Sequence, residues 1–237
     1  MASTITPRKA LDFAKVFVKN MPVDRDPPRL RIMDSAAKMV WMAAPWPWTI
    51  GILTVTAIAN DAQDVVMGTI PADFLHIQHA ALVNKDTIAD LTPVGILPVL
   101  TDIKGMPQKI AFVSANTVRL YPMPSGYAAT ELPKLWVFYK KQHTEITVSN
   151  ESTAGTLVMA DEWYPVYEAF VLYYVYLYAD DPRAGGAQMS SRGIVQYSGM
   201  LGTAMGLLNE YKLASKVGLV DSFGRTITSS LSLAAGR

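Results

Sequence analysis

The chain has 237 residues, half of them hydrophobic and 17% charged, with 21 Lys and Arg against 20 Asp and Glu and no cysteine. That length admits one or two domains with a sizeable core. Lack of cysteine excludes disulfides and thiolate metal sites, and near-balanced charge excludes a general electrostatic footprint for nucleic acid, while the high apolar content points to surface buried against partners.

The N-terminal stretch "MASTITPRKALDFAKVF" carries charges and no secretory apolar core, so no signal peptide is expected. Thr6 before Pro7 has the form of a helix start, a hydroxyl cap followed by proline in the first turn. Ala10, Phe13, Ala14 and Phe17 then recur at helical spacing. Pro22 and "DRDPPR" end that helix and open a second near Arg29, with Leu30, Met33, Ala37, Val40 and Trp41 on its apolar face and Pro45 as its stop. An antiparallel pair of short helices is expected.

From Trp48 the residues turn β-branched and apolar, in "PWPWTIGILTVTAI", "DVVMG", "FLHIQHAALV", "KIAFVSAN", "TVRLYPMP" and "KLWVFYKKQ". Prolines at 71, 93, 98, 107, 122, 124 and 133 do not suit central strands. Residues 48–150 therefore read as a small antiparallel sheet or sandwich with edge strands and long loops. In "KLWVFYKK", Trp136, Phe138 and Lys140 share one face and Leu135, Val137 and Tyr139 the other, the pattern of a strand covered on both sides.

Helical spacing returns near Asp161. The block "FVLYYVYLYADDPRAGG" sets Tyr173, Tyr174, Tyr176 and Tyr178 among apolar residues between two acidic pairs, Asp161–Glu162 and Asp180–Asp181. Its length, its flanks and the scatter of its tyrosines favour a buried helix over a membrane span. The acidic pairs read as caps and solvated ends. A long helix is expected from about 187 to 215, with Ile194, Tyr197, Leu201, Ala204, Leu208 and Tyr211 along one seam and a narrow stripe of small residues, Ser198, Gly202 and Gly206. From Asp221 the chain loses helical period. It reads either as a frayed end or as an arm ordered on a partner, with Ile227, Leu231 and Leu233 on one side of an extended segment.

The residues of catalysis are sparse. There is no G-x-S-x-G elbow, no phosphate loop and no G-x-G-x-x-G turn. His76 and His79 would suit two metal ligands on a helix, but a strand sends residues three apart to opposite faces, and no third ligand stands nearby. The expectation is no enzyme, no metal and no cofactor. The alternative is a small-molecule- or glycan-binding module or enzyme using the β region, with Trp46, Trp48 and Tyr127 as stacking surfaces.

Taken in order, "LRIMDSAAKMVWMAAPWPWTIG" closing two helices, a proline-rich β insertion with "LYPMP" and "LWVFYKKQ", an aromatic helix, a long helix and a C-terminal arm resemble the head-to-tail adaptor, or connector, proteins of tailed bacteriophages, particularly short-tailed ones. The resemblance spans most of the chain. It implies an α+β fold: a helical bundle of two N-terminal and two long C-terminal helices (1–47 and 151–221), an inserted antiparallel β region (48–150) and an extended arm (222–237). It implies a structural virion protein at the neck between capsid and tail, assembled in the bacterial cytoplasm as a ring, usually a dodecamer. The portal protein and a tail tube or nozzle protein would be its partners. DNA would pass through its channel without sequence recognition, and no membrane would be involved. Phe223, Ile227, Leu231 and Leu233 would dock the arm on the portal, and Tyr173, Tyr174, Ser198, Gly202 and Gly206 would pack helices or subunits together.

Overall fold

The computed structural model describes residues 5–18, 28–44, 46–99, 103–114, 116–191 and 193–218. In chain order its elements are α1 (Pro7–Lys15), α2 (Pro28–Met42), β1 (Ile50–Val55), β2 (Asp64–Val66), β3 (Phe74–Val83), β4 (Ile88–Pro93), β5 (Lys104–Gly105), β6 (Lys109–Ser114), β7 (Thr117–Tyr121), β8 (Met123–Pro124), α3 (Gly126–Glu131), β9 (Lys134–Lys141), α4 (Tyr164–Tyr178), β10 (Ala187–Met189), β11 (Val195–Tyr197) and α5 (Gly199–Gly218). The chain divides into two compact units, Met1–Ala44 with Glu145–Arg237, and Pro45–Thr144.

In the first unit, α1 begins where Thr6 Oγ1 accepts a hydrogen bond from the Lys9 N–H (3.4 Å) and Pro7 takes the first turn. Helix α2 buries Ile32, Met33, Ala36, Ala37, Val40 and Trp41. Both helices pack on α4, whose Val166, Tyr167, Ala169, Phe170, Val171, Val175 and Tyr176 are buried. A helix enclosed on several sides can be apolar nearly all round, which accounts for the tyrosine-rich block without a bilayer. Among the described residues no helix is long and apolar enough to cross a membrane. The Tyr167 hydroxyl, fully enclosed, donates to the Met33 carbonyl (3.3 Å). The segment returning from the β region is held by a buried carboxylate. Glu151 Oε2 lies 2.9 Å from Arg29 Nε and Oε1 lies 3.8 Å from Arg8 Nη1, while the Arg8 N–H donates to the Glu151 carbonyl (2.9 Å). Just before it, the Ile146 N–H donates to Asp34 Oδ1 (3.2 Å).

A helical bundle with two long C-terminal helices is not what forms. The chain is α+β, but the segment expected to open a long helix, residues 187–197, is an antiparallel β-hairpin, and α5 starts only at Gly199. Within the expected helix Gly193 and Gly199 have positive φ, at 73° and 60°, a backbone region that breaks a right-handed helix and that glycine enters without a Cβ penalty. Ile194 and Tyr197, expected on a helical seam, belong to the hairpin, and among the α5 residues whose side chains are described Leu201, Ala204 and Leu208 form the buried stripe.

In the second unit, a seven-stranded sheet runs in the order β1-β9-β3-β4-β6-β7-β2. It is neither small nor wholly antiparallel, because β4 and β6 pair in parallel through Thr92–Lys109 and Pro93–Ile110. The fifteen-residue excursion between those strands gives the chain room to re-enter in the same direction. One face of the sheet carries the core: Ala80, Leu82, Leu91, Ile110, Val118, Leu120, Leu135 and Val137 are buried there with Ile58, Val65, Met67 and Leu132. Gly51 sits opposite Tyr139 in the β1–β9 pair, and the tyrosine ring lies over it.

Candidate assembly surface

The hairpin β10–β11 is built on a rigid base. Ser198 N–H donates to the Gly186 carbonyl (3.0 Å), and Gly186 N–H donates back to Ser198 Oγ (3.2 Å). At that base Gly185 and Gly199 approach backbone to backbone. A Cβ on Gly185 would stand under 3.0 Å from the Ser198 carbonyl, and one on Gly199 would meet the Gly185 backbone at 2.7 Å. Only glycine fits at either position. The tip is closed by Ser190, whose N–H donates to the Ile194 carbonyl (2.8 Å) and whose Oγ accepts from the Ile194 N–H (3.1 Å). Just upstream Asp181 caps the turn at Pro182–Ala184 by accepting from the Arg183 N–H. The Arg183 guanidinium also pairs with Asp181 (2.6 Å) and lies over the Tyr176 ring (4.5 Å). Chiefly through that hydrogen bond, Arg183 holds the Asp181 carboxyl below its usual range.

The register pairs Ala187 with Tyr197, Gln188 with Gln196 and Met189 with Val195. One hairpin face is therefore Ala187, Met189, Val195 and Tyr197, and the other is two glutamines. The apolar face is open: Met189 is 75% exposed, Val195 43% and Tyr197 42%, and Ile194 beside them is 59% exposed.

Of the residues expected to pack helices or subunits, Tyr173 and Tyr174 are half-buried on α4 with ring centroids 4.9 Å apart. Burial, and then the neighbouring Tyr173 and Tyr178, push the Tyr174 hydroxyl pKa up. Ser198 precedes α5 and belongs to the hairpin base. A Cβ on Gly202 would meet the Tyr197 carbonyl at 2.9 Å, so this glycine lets the first turn of α5 fold back under the hairpin. A Cβ on Gly206 would meet nothing within 4 Å among the described residues. The arm residues Phe223, Ile227, Leu231 and Leu233 lie outside the described residues.

On the second unit, register shifts in β3 bring His76 opposite Lys140 and His79 opposite Phe138. Both histidines therefore share the face of Phe138 and Lys140. This corrects the expectation of opposite faces, which an unbroken strand would have met; each shift adds a residue and resets the alternation. His79 Nε2 stands 3.5 Å from Asp90 Oδ1, and its ring lies 5.6 Å from that of Phe138. Among the described residues no three His, Asp or Glu side chains gather as a metal site. Lys140 is buried on this face and donates to Thr49 Oγ1 (2.7 Å), which in turn donates to the Trp46 carbonyl (2.8 Å). Burial pushes the Lys140 amine down to about 8. Trp46 stacks on Trp48 at 5.5 Å but is only 1% exposed, whereas Tyr127 on α3 is 71% exposed.

The hairpin escaped the sequence reading, although "SSRG" between "AQM" and "IVQY" is a turn signal flanked by alternating residues. The chain matches no protein-family model and no curated protein sequence.

Proposed function

We propose that this protein is a structural assembly subunit: a head-to-tail adaptor of a tailed bacteriophage that joins copies of itself in a ring between portal and tail and keeps the DNA channel continuous. The observation that carries the reading is the open apolar hairpin held on a glycine-locked base. Exposed apolar surface held in a fixed shape is the property of a surface meant to be covered by another protein, and tyrosine is enriched at such interfaces. The order of parts along the sequence, which resembles that family, supplies the finer identity. The portal protein and a tail tube or nozzle protein are the neighbours this reading requires.

The test is location and dependence. Cryo-electron microscopy of the particle should place the chain as a ring at the neck. A chain ending before residue 222 should melt at the same temperature as the full chain and fail to bind portal-bearing capsids. Absence of the chain from the particle neck overturns the reading. Normal capsid binding by the truncated chain removes the arm from it.

A further inference from the structure

We infer that copies of this chain join head to tail by seating the β10–β11 hairpin of one copy on the β1 edge of the next. The inference rests on the self-assembly proposed above and names its contact. The two free edges of the seven-stranded sheet differ. Edge β2 has three residues, opens on Asp64 paired with Arg119 (2.7 Å), and is attended by the loop whose Leu97 and Pro98 carbonyls accept from Arg119 and Gln63. Short length and charge are the usual devices that stop strand addition. Edge β1, "IGILTV", has neither. It is six residues long with no charge and no proline, pairs only with β9 among the described residues, and leaves Ile52 58% exposed. Such an edge offers its outward N–H and C=O groups to another strand.

The hairpin supplies the matching piece. Its strands "AQM" and "VQY" carry no charge, so neither surface offers a charged peptide an opposite charge to meet. It has one apolar face and, among the described residues, unpaired outer edges. Two strands alone are marginal in water, and a third strand or an apolar cover completes them. Because each copy carries one edge and one hairpin, the stoichiometry is satisfied by a second copy without any further partner. A contact between two different patches is heterologous, and repeated around an axis it closes a ring.

The cysteine-free sequence makes the test clean. In the full chain, Ile52→Cys and Val195→Cys introduced together should give, on oxidation, a ladder of covalent multimers on a non-reducing denaturing gel. Each single variant should give none beyond a dimer. Both positions are on the surface, so melting should match the parent. Separately, Val195→Lys should weaken self-association at least tenfold by light scattering. Rings in the unmodified chain with no ladder, or with a Val195→Lys variant that assembles normally, overturn this contact and leave the adaptor reading standing. A cross-link confined to monomers, or a parent chain that stays monomeric at millimolar concentration, also overturns it, while the particle neck still decides the adaptor reading.

Discussion

Replacing Gly51 with alanine tests how tightly the second unit is fitted. Alanine for glycine in an extended strand ordinarily stabilises by about 0.4–1 kcal/mol, because the unfolded chain loses freedom. The local packing reverses that sign. A Cβ at Gly51 would fall under 3.0 Å from Cζ, Cε1 and Oη of Tyr139. The ring has little room to retreat: it is 5% exposed, stacks on Phe74 at 5.1 Å, and donates its hydroxyl to Asp73 Oδ1 at 3.3 Å. Phe74 is in turn stacked on Phe112 at 5.2 Å. Overpacking typically costs about 1–3 kcal/mol, and a displaced aromatic pair forfeits about 0.5–1.5 kcal/mol more. The net expectation for Gly51→Ala is a loss of about 2–3 kcal/mol, which lowers the melting temperature by about 8–24 °C for a unit of this size. Tyr139→Leu removes the obstruction, so the double variant should be less destabilised than the sum of the two singles. Calorimetry or thermal circular dichroism on the four proteins completes the cycle. A Gly51→Ala protein that melts with the parent, or additive single effects, refutes the close fit.

Gly185→Ala should cost more than Gly186→Ala, because the first meets the Ser198 backbone at a positive φ and the second meets nothing within 4 Å; hydrogen exchange of the 187–197 amides should rise sharply only in the first. Glu151→Ala removes the carboxylate that lies 2.9 Å from Arg29 Nε and 3.8 Å from Arg8 Nη1, and urea denaturation should show a loss of about 1–3 kcal/mol. The Lys140 amine is at about 8 in the fold and 10.5 when unfolded. Below about 8 both states are charged and the burial penalty is constant. Above about 8 the unfolded chain holds more protons on this amine, so stability should rise with pH until it nears 10, where the buried tyrosines, held protonated by the fold, reverse the trend; Lys140→Met should abolish the rise in chemical denaturation curves, and an unchanged slope would remove Lys140 as its cause.

Local signals were legible where neighbours in sequence decide the structure. The Thr6 cap, the Pro7 start and the apolar face of α2 are fixed within a turn or two of chain. Leu135 and Val137 reach the core by simple alternation along β9. The hairpin is hidden because Ile194, Tyr197, Leu201, Ala204 and Leu208 satisfy a three-four spacing, while Gly193 and Gly199, which leave the helical region at positive φ, look no different in the sequence from Gly202 and Gly206, which stay in the helix. The shared face of His76 and His79 depends on register shifts imposed by β9, some sixty residues away, which alternation along β3 alone does not encode. The obligatory glycine at 51 is set by Tyr139, and the burial of Glu151 by Arg8 and Arg29, so both need the tertiary fold before they mean anything. The open hairpin face follows from what fails to cover it, which no local window of sequence contains.

The split of the first unit around the β region governs the order of events during synthesis. Helices α1 and α2 leave the ribosome with their apolar faces complete, but α4, on which both pack, begins only at Tyr164. At about 5–20 residues per second the N-terminal helices wait several seconds for that partner, while Pro45–Thr144 is continuous and can close as soon as β9 emerges. The Asp34–Ile146 hydrogen bond joins residues 112 positions apart, so the sheet is the nucleus expected first in the nascent chain and the helical unit is completed last. During that interval Ile32, Met33, Val40 and Trp41 stand uncovered. Chaperone capture through these residues should therefore persist on stalled nascent chains until α4, ending at Tyr178, has left the ribosome, and should fall once it has.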